Sequence, residues 1–169
     1  FNIDGAHSAV DFSIKHIVTN TKGSALIDSG WVNLQNEGTK IFVQIAANSL
    51  NTQSTGRDEH IKGADFFDAA KFPKMTFEAS EIVKDTTGMA YSYVAKGKLT
   101  IKGIAKDAEV KFNYMGVEDK DMGEYGKFKV GGFEGITVID RTQYGIGGAG
   151  GLGENVTINI TLEVMQPIK

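Results

Sequence analysis

The sequence predicts an all-β fold, an antiparallel barrel or sandwich of about eight strands interrupted by one short helical insertion. Three observations carry this. Apolar residues alternate with polar ones at period 2 in most segments, the signature of half-buried strands. Short polar turn clusters separate the alternating runs. The chain has 21 glycines but only 2 prolines, a balance that suits hairpins and closely packed strands better than helices or linkers. Regular antiparallel strands with polar outer faces favour sheet-on-sheet closure over any βαβ arrangement, and 169 residues fit one domain.

Taken in order, Val10, Phe12, Ile14 and His16 share one face of a strand, opposed by Asp11, Ser13 and Lys15. Ile41, Val43 and Ile45 form a shorter copy, followed by a stretch that loses the rhythm. From Ser54 to Phe72 there is no alternation; a Ser/Thr start precedes Arg57-Asp58-Glu59-His60, and the stretch reads as one or two helical turns capping the strands. Alternation returns over Tyr91–Ile101, where Tyr93, Ala95, Gly97, Leu99 and Ile101 face inward while Lys96 and Lys98 face solvent. It recurs in Val110, Phe112 and Tyr114, and in Val156, Ile158, Ile160, Leu162 and Val164. Turns are expected at Asn36-Glu37-Gly38, at Asp85-Thr86-Thr87-Gly88 and between Glu118 and Gly123.

Composition excludes several function classes. A net charge of −3 with dispersed lysines lacks the electrostatic footprint of a nucleic-acid binder. No apolar run approaches the roughly 18 residues of a membrane-spanning helix, so a soluble chain is expected. The absence of cysteine excludes disulfides, thiolate metal sites and a cysteine nucleophile, and is compatible with an oxidising compartment. The first residue is Phe1 rather than Met, which suits a processed secreted protein or a trimmed chain.

Individual motifs mostly have structural explanations. Gly145-Ile146-Gly147-Gly148-Ala149-Gly150 satisfies GxGxxG, but a phosphate cradle needs a following helix and a strand follows here, so the string reads as a hairpin loop. His7, His16 and His60 lack metal-ligand spacing; His7 and His16 would point to opposite faces of one continuous strand, and no metal or other cofactor is expected. Arginine usage is more selective. Of 18 basic residues only Arg57 and Arg141 are arginine, so those two positions call for a planar fork, either for a salt bridge with Asp58 or Asp140 or for an anionic head group. Phe66, Phe67, Phe72 and Phe77 cluster beside the non-strand segment as an apolar cap. Ala95 and Gly97 place small residues on an inward face, where missing side chains leave room for a ligand.

These residues line up as a set of spaced motifs: Asp4, His7-Ser8, Val10, Phe12 and His16; Ser49-Leu50-Asn51-Thr52; Arg57-Asp58 and His60; Asp65-Phe66-Phe67-Asp68, Phe72-Pro73 and Phe77; Gly97, Leu99, Ile101 and Gly103; and Arg141 with Tyr144-Gly145. The pattern resembles the YceI-like family over nearly the whole chain. That resemblance implies a lipocalin-like antiparallel barrel with an elongated apolar cavity. It also implies non-enzymatic binding, storage or transport of a polyisoprenoid, quinone-like lipid or fatty acid or amide, in a periplasmic or secreted bacterial protein that is commonly a homodimer. On this reading the tail contacts Phe12, Ile14, His16, Val43, Phe66, Phe67, Phe77, Gly97, Leu99, Phe112 and Ile160. The resemblance does not carry the head-group site, which is expected at Arg57, Asp58, His60, Arg141 and Tyr144 because they fall in the two motif segments bordering irregular structure. The alternatives are a hydrolase or isomerase site at Arg57, Asp58 and His60 acting on a lipid-like substrate, or a structural, stress-related domain with a filled barrel. Two departures from the family pattern are Ile61-Lys62-Gly63 after His60 and the glycine-rich loop Gly145–Gly153, which is expected to shape the mouth.

Overall fold

The computed structural model describes residues 1–33, 40–87, 90–148 and 150–169. The expected turn at Asn36-Glu37-Gly38, together with Gly88 and Ala149, lies outside the described residues. The strands are β1 (Asn2–Ile3), β2 (Ala9–His16), β3 (Thr19–Ala25), β4 (Ile27–Val32), β5 (Ile41–Ala46), β6 (Lys74–Lys84), β7 (Tyr93–Ile101), β8 (Ile104–Asp121), β9 (Lys127–Asp140) and β10 (Leu152–Pro167). The helix α1 (Thr55–Lys62) lies between β5 and β6.

Ten strands make eight staves. β1 and β2 run in tandem along one edge of β10, paired at Ile3↔Val164 and at Val10↔Ile160. β3 pairs with β2, and β4 pairs with β1, so these two also share a stave, broken only at Leu26. From β4 the order runs through β5, β6, β7, β8 and β9 to β10, every pair antiparallel, and the β1 contact with both β4 and β10 closes the ring. A closed barrel removes the exposed sheet edges of an open sheet. One partial edge survives. Among the described residues, β3 is paired only on its β2 side from Thr19 to Gly23, and beyond that the Ser24–Asn51 bridge ties it to the segment leading into α1.

Alternation is realised with two exceptions in β7, where Val94 on the outer face is buried and Lys96, expected to face solvent, is half-buried. In β7, Ala95, Leu99 and Ile101 are buried, whereas Lys98 is exposed and meets its cross-strand partner Asp107 at 2.8 Å. The β7–β8 turn is Lys102-Gly103, both at positive φ, with the lysine Nζ donating to the carbonyls of Ala64 and Gly145. β8 continues into the stretch expected as a turn, Glu118–Gly123. It runs to Asp121, and the chain reverses at 122–126, where Gly123 and Gly126 take the positive φ angles. Opposite charges hold that extension together, with Lys129 3.0 Å from Asp119 and Lys127 facing Asp121 across the ladder.

Two caps distinguish the barrel ends. At one end α1 and the residues up to Phe72 lie beside the C-terminal ends of β2, β5, β7 and β9. At the other, Tyr93 stacks on Phe112 with ring centroids 5.5 Å apart, and Phe133 packs edge-on to Phe112 and beside Tyr114. Buried Ala79, Ala95 and Leu162 lie in the core between the two ends.

Candidate functional site

A cavity of about 370 Å³ occupies the α1 end of the barrel, near the lower limit of the roughly 300–1,000 Å³ typical of ligand pockets. Its wall is built by strand periodicity: inward positions of β2 supply Val10, Phe12 and Ile14, those of β10 supply Val156, Ile158 and Ile160, and β6 and β7 supply Phe77 and Leu99. Phe66, Phe67 and Ile61 close it from the helical segment. Polar groups are few: His16, Arg57 and His60 line the cavity and are exposed, as is Gly150 of the glycine loop, while Thr52 and Arg141 border it from buried positions. The mouth therefore opens between the β2–β3 turn, α1 and that loop.

Arg57 is held at the rim by Thr52. Its Nε donates to Thr52 Oγ1 at 2.7 Å and one Nη donates to the Thr52 carbonyl at 2.8 Å. Asp58 does not pair with an arginine; its carboxylate accepts from the Thr52 amide and hydroxyl at 2.7 and 2.5 Å. Those bonds, the hydroxyl's first, hold the Asp58 carboxyl below the ordinary carboxylate range. Thr52 is itself buried, so the Arg57–Thr52–Asp58 chain anchors the first turn of α1 to the barrel. A guanidinium has five N–H donors; two of Arg57's are engaged within the protein, leaving the rest at the mouth. The His60 ring packs edge-on against Phe66 at 4.9 Å.

Arg141 is different. It is buried, and its donors go to backbone carbonyls: Gly153 at 2.7 Å, Ile146 at 2.8 Å, Gly147 at 2.9 Å and Leu152 at 3.3 Å. The side chain touches the cavity, yet its chemistry is spent on folding the glycine loop around itself. Asp140, expected as an ion-pair partner, instead caps the following turn by accepting from the Thr142 amide and hydroxyl. Tyr144 is buried in the core and does not line the cavity; burial pushes its hydroxyl pKa up.

Of the residues assigned to the tail, Phe12, Ile14, His16, Val43, Phe66, Phe67, Phe77, Leu99 and Ile160 line this cavity. Two do not. Phe112 belongs to the opposite end, where it borders a separate cavity of about 220 Å³ with Phe1, Tyr93, Tyr114 and Phe133. Gly97 borders neither cavity: a Cβ there would sit 1.9 Å from the Glu78 carbonyl oxygen and 2.6 Å from the Ala79 Cα. Its missing side chain permits close passage of β6 at the bulge between Ala79 and Glu81 rather than making ligand space.

Sequence reasoning assigned no role to Thr52, although Ser49-Leu50-Asn51-Thr52 stood out as a motif; a buried threonine between an arginine and an aspartate is visible only in three dimensions. It also did not join His7 to Glu163. His7 Nδ1 is 2.8 Å from Asp4 Oδ2 and 3.8 Å from Glu163 Oε1, and the three side chains bring ligating atoms within 4.8 Å of one another. Their neighbours explain the cluster structurally. The Asp4 amide donates to the Glu163 carbonyl and the Ser8 hydroxyl accepts from the Glu163 amide, so the group staples the β1–β2 link to β10.

Comparison with known proteins agrees with this architecture. The chain is 30% identical over 171 residues to a UPF0312 protein of Pseudomonas syringae pv. tomato, covering 96% of this chain and 83% of the relative. Its fold is similar to the crystal structure of a Campylobacter jejuni YceI protein, with a TM-score of 0.67, 28% identity, and coverage of 89% of this chain and 88% of the other. It is also similar to a polyisoprenoid binding domain from Saccharophagus degradans, with a TM-score of 0.70 over 99% of this chain and 98% of the other, at 14% identity. The family model described as the YceI-like domain matches residues 1–164, and with the closed barrel and its strand-by-strand motifs in place, the chain belongs to the YceI-like family.

Proposed function

We propose that this protein binds a long-chain amphiphile, a polyisoprenoid or a lipid with a comparable tail, and carries or stores it without chemical turnover. The observation that carries the reading is the polarity of the cavity: its wall is mostly apolar side chains, the buried Thr52 and Arg141 that border it have their polar groups bonded within the protein, and the exposed polar groups His16, Arg57 and His60 stand at its mouth. Each methylene moved from water into such a wall stabilises the complex by roughly 0.8 kcal/mol before the cost of fixing the chain is subtracted. The polyisoprenoid binding described for the similar Saccharophagus domain supports the ligand class. Arg57, with guanidinium donors left over at the rim, is the residue suited to a phosphate or carboxylate head. Binding is favoured over catalysis because Asp58 is committed to Thr52 and, among the described residues, no hydrogen bond joins His60 to a carboxylate or hydroxyl at the mouth. A periplasmic or secreted location and a homodimer belong to the same proposal. Organic extraction of the purified protein followed by mass spectrometry tests it directly. A stoichiometric isoprenoid or acyl lipid is expected; an extract free of lipid, together with no affinity for added polyprenyl phosphate or fatty acid, would refute it.

A further inference from the structure

The β2–β3 turn spends conformational energy on apolar exposure. Its two loop residues, between the paired His16 and Thr19, are Ile17 and Val18. Ile17 has φ of 54°, while Val18 is not at positive φ. Turns with positive φ at the first loop position favour glycine there, and a β-branched residue in that region is a strained outlier. The β7–β8 hairpin meets its own positive angles with Lys102-Gly103. At β2–β3, however, the strained residue is apolar, and neither side chain is used in the core: Ile17 is 62% exposed and Val18 86%.

Position and charge give this tip a purpose. The Ile17 amide donates to the Gly151 carbonyl at 2.7 Å, which fixes the tip to the glycine loop bordering the cavity. His16, the residue before it, lines the mouth. Although the whole chain is acidic, residues 13–22 carry Lys15, His16 and Lys22 and no carboxylate. Lys15 and Lys22 sit on the outward face of the hairpin, opposite Asn20 and Ser13 respectively. A pair of exposed aliphatic side chains flanked by lysines matches an anionic lipid surface, with an apolar edge entering the acyl boundary and ammonium groups at the headgroups. The partly unpaired edge of β3 leaves the same corner free of ladder partners on its outer side.

We propose that the β2–β3 tip is a membrane-docking element: Ile17 and Val18 enter an anionic bilayer and hold the cavity mouth against the surface with which ligand is exchanged. The purpose, though not the docking itself, rests on the reading of the cavity as a lipid site. The test compares wild type with the double variant Ile17→Gly/Val18→Asn, whose Gly-Asn turn suits the backbone. Co-sedimentation is measured with phosphatidylcholine vesicles with and without phosphatidylglycerol, and capture of dansyl-undecanoic acid is measured in vesicle-free solution.

Wild type is expected to partition onto the anionic vesicles. The double variant should lose about tenfold or more of that partitioning, melt no lower than wild type, and capture the fluorescent acid equally well. Lys15→Glu should cost about fivefold at low salt and nothing on neutral vesicles. Equal partitioning of wild type and double variant, or none by either, would overturn the proposal. So would a change in oligomeric state that accounts for the loss, which would make the tip a contact between copies. If neither protein captures the acid or a polyprenyl phosphate while tip-dependent vesicle binding persists, the cavity reading fails and the docking surface stands.

Discussion

The two arginines divide the work of one residue type between scaffold and site. Arg141→Lys keeps the charge but replaces a four-carbonyl fork with a point ammonium, leaving the buried Ile146 carbonyl or the partly buried carbonyls of Gly147, Leu152 and Gly153 without a donor. We expect a loss on the order of 2–4 kcal/mol in chemical denaturation, with the ranking of charged over neutral ligands unchanged. Arg57→Lys acts on both stability and binding. It gives up the two-point hold on Thr52 and should lower the melting temperature, though less than Arg141→Lys does, because the Thr52–Asp58 bonds remain. It should also weaken affinity for a phosphate or carboxylate lipid about tenfold, with a neutral analogue of equal tail length spared. Equal losses for both ligands would reject a head-group role. At Gly97 the geometry reverses the sequence-based expectation that a larger side chain would occupy ligand space. Even Gly97→Ala drives a Cβ into the β6 backbone, so it should destabilise by about 2–4 kcal/mol, while the folded fraction retains its affinity by titration.

At the scale of elements, two polar clamps give the fold opposite pH dependences. In the β1–β2 link, the Asp4 hydrogen bond raises the His7 pKa above its ordinary 6.5, with Glu163 adding to it. The folded state thus prefers protonated His7, and this stabilisation is complete below pH 6.5 and fades as pH rises through the folded value. His7→Gln should flatten the melting temperature profile across that window. In the turn after β6, Asp85 accepts from the Thr87 amide and hydroxyl, and its other oxygen lies 3.0 Å from Lys111 Nζ. These contacts, the Thr87 bonds foremost, lower its pKa to about 2. Here the stabilisation is present above the ordinary value of 3.8 and is lost as pH falls towards 2. Acid titration of melting temperature in wild type and Asp85→Asn checks this: the two curves should converge at the acid end. The α1 segment was legible as a break in alternation, but its anchoring was not, because Thr52, Arg57 and Asp58 meet only once the chain turns back on itself.

For the whole molecule, ligand that binds only the folded barrel should raise its stability by about 2.7 kcal/mol at a hundredfold excess over Kd, read as a shift in the denaturation midpoint. Phe77→Ala, at the α1-end cavity, should alter that shift, whereas Phe112→Ala, in the aromatic cluster of the opposite end, should lower stability without changing it. The difference follows from which chamber each side chain faces. The all-β class, most inward and outward positions of β2, β7 and β10, and the site of the helical segment are legible from the residues alone, because period 2 is a local property and one face of every strand must leave water. The sequence also marked the family through motifs spread along the chain. Tertiary structure alone decided the rest: that β1 with β2, and β3 with β4, each form one stave; that Arg141 binds carbonyls and Arg57 keeps donors at the mouth; that Phe112 and Leu99, inward residues of neighbouring strands, serve different chambers. Alternation tells which face a side chain takes, but depth along the barrel axis depends on strand register and stagger, which long-range pairing sets.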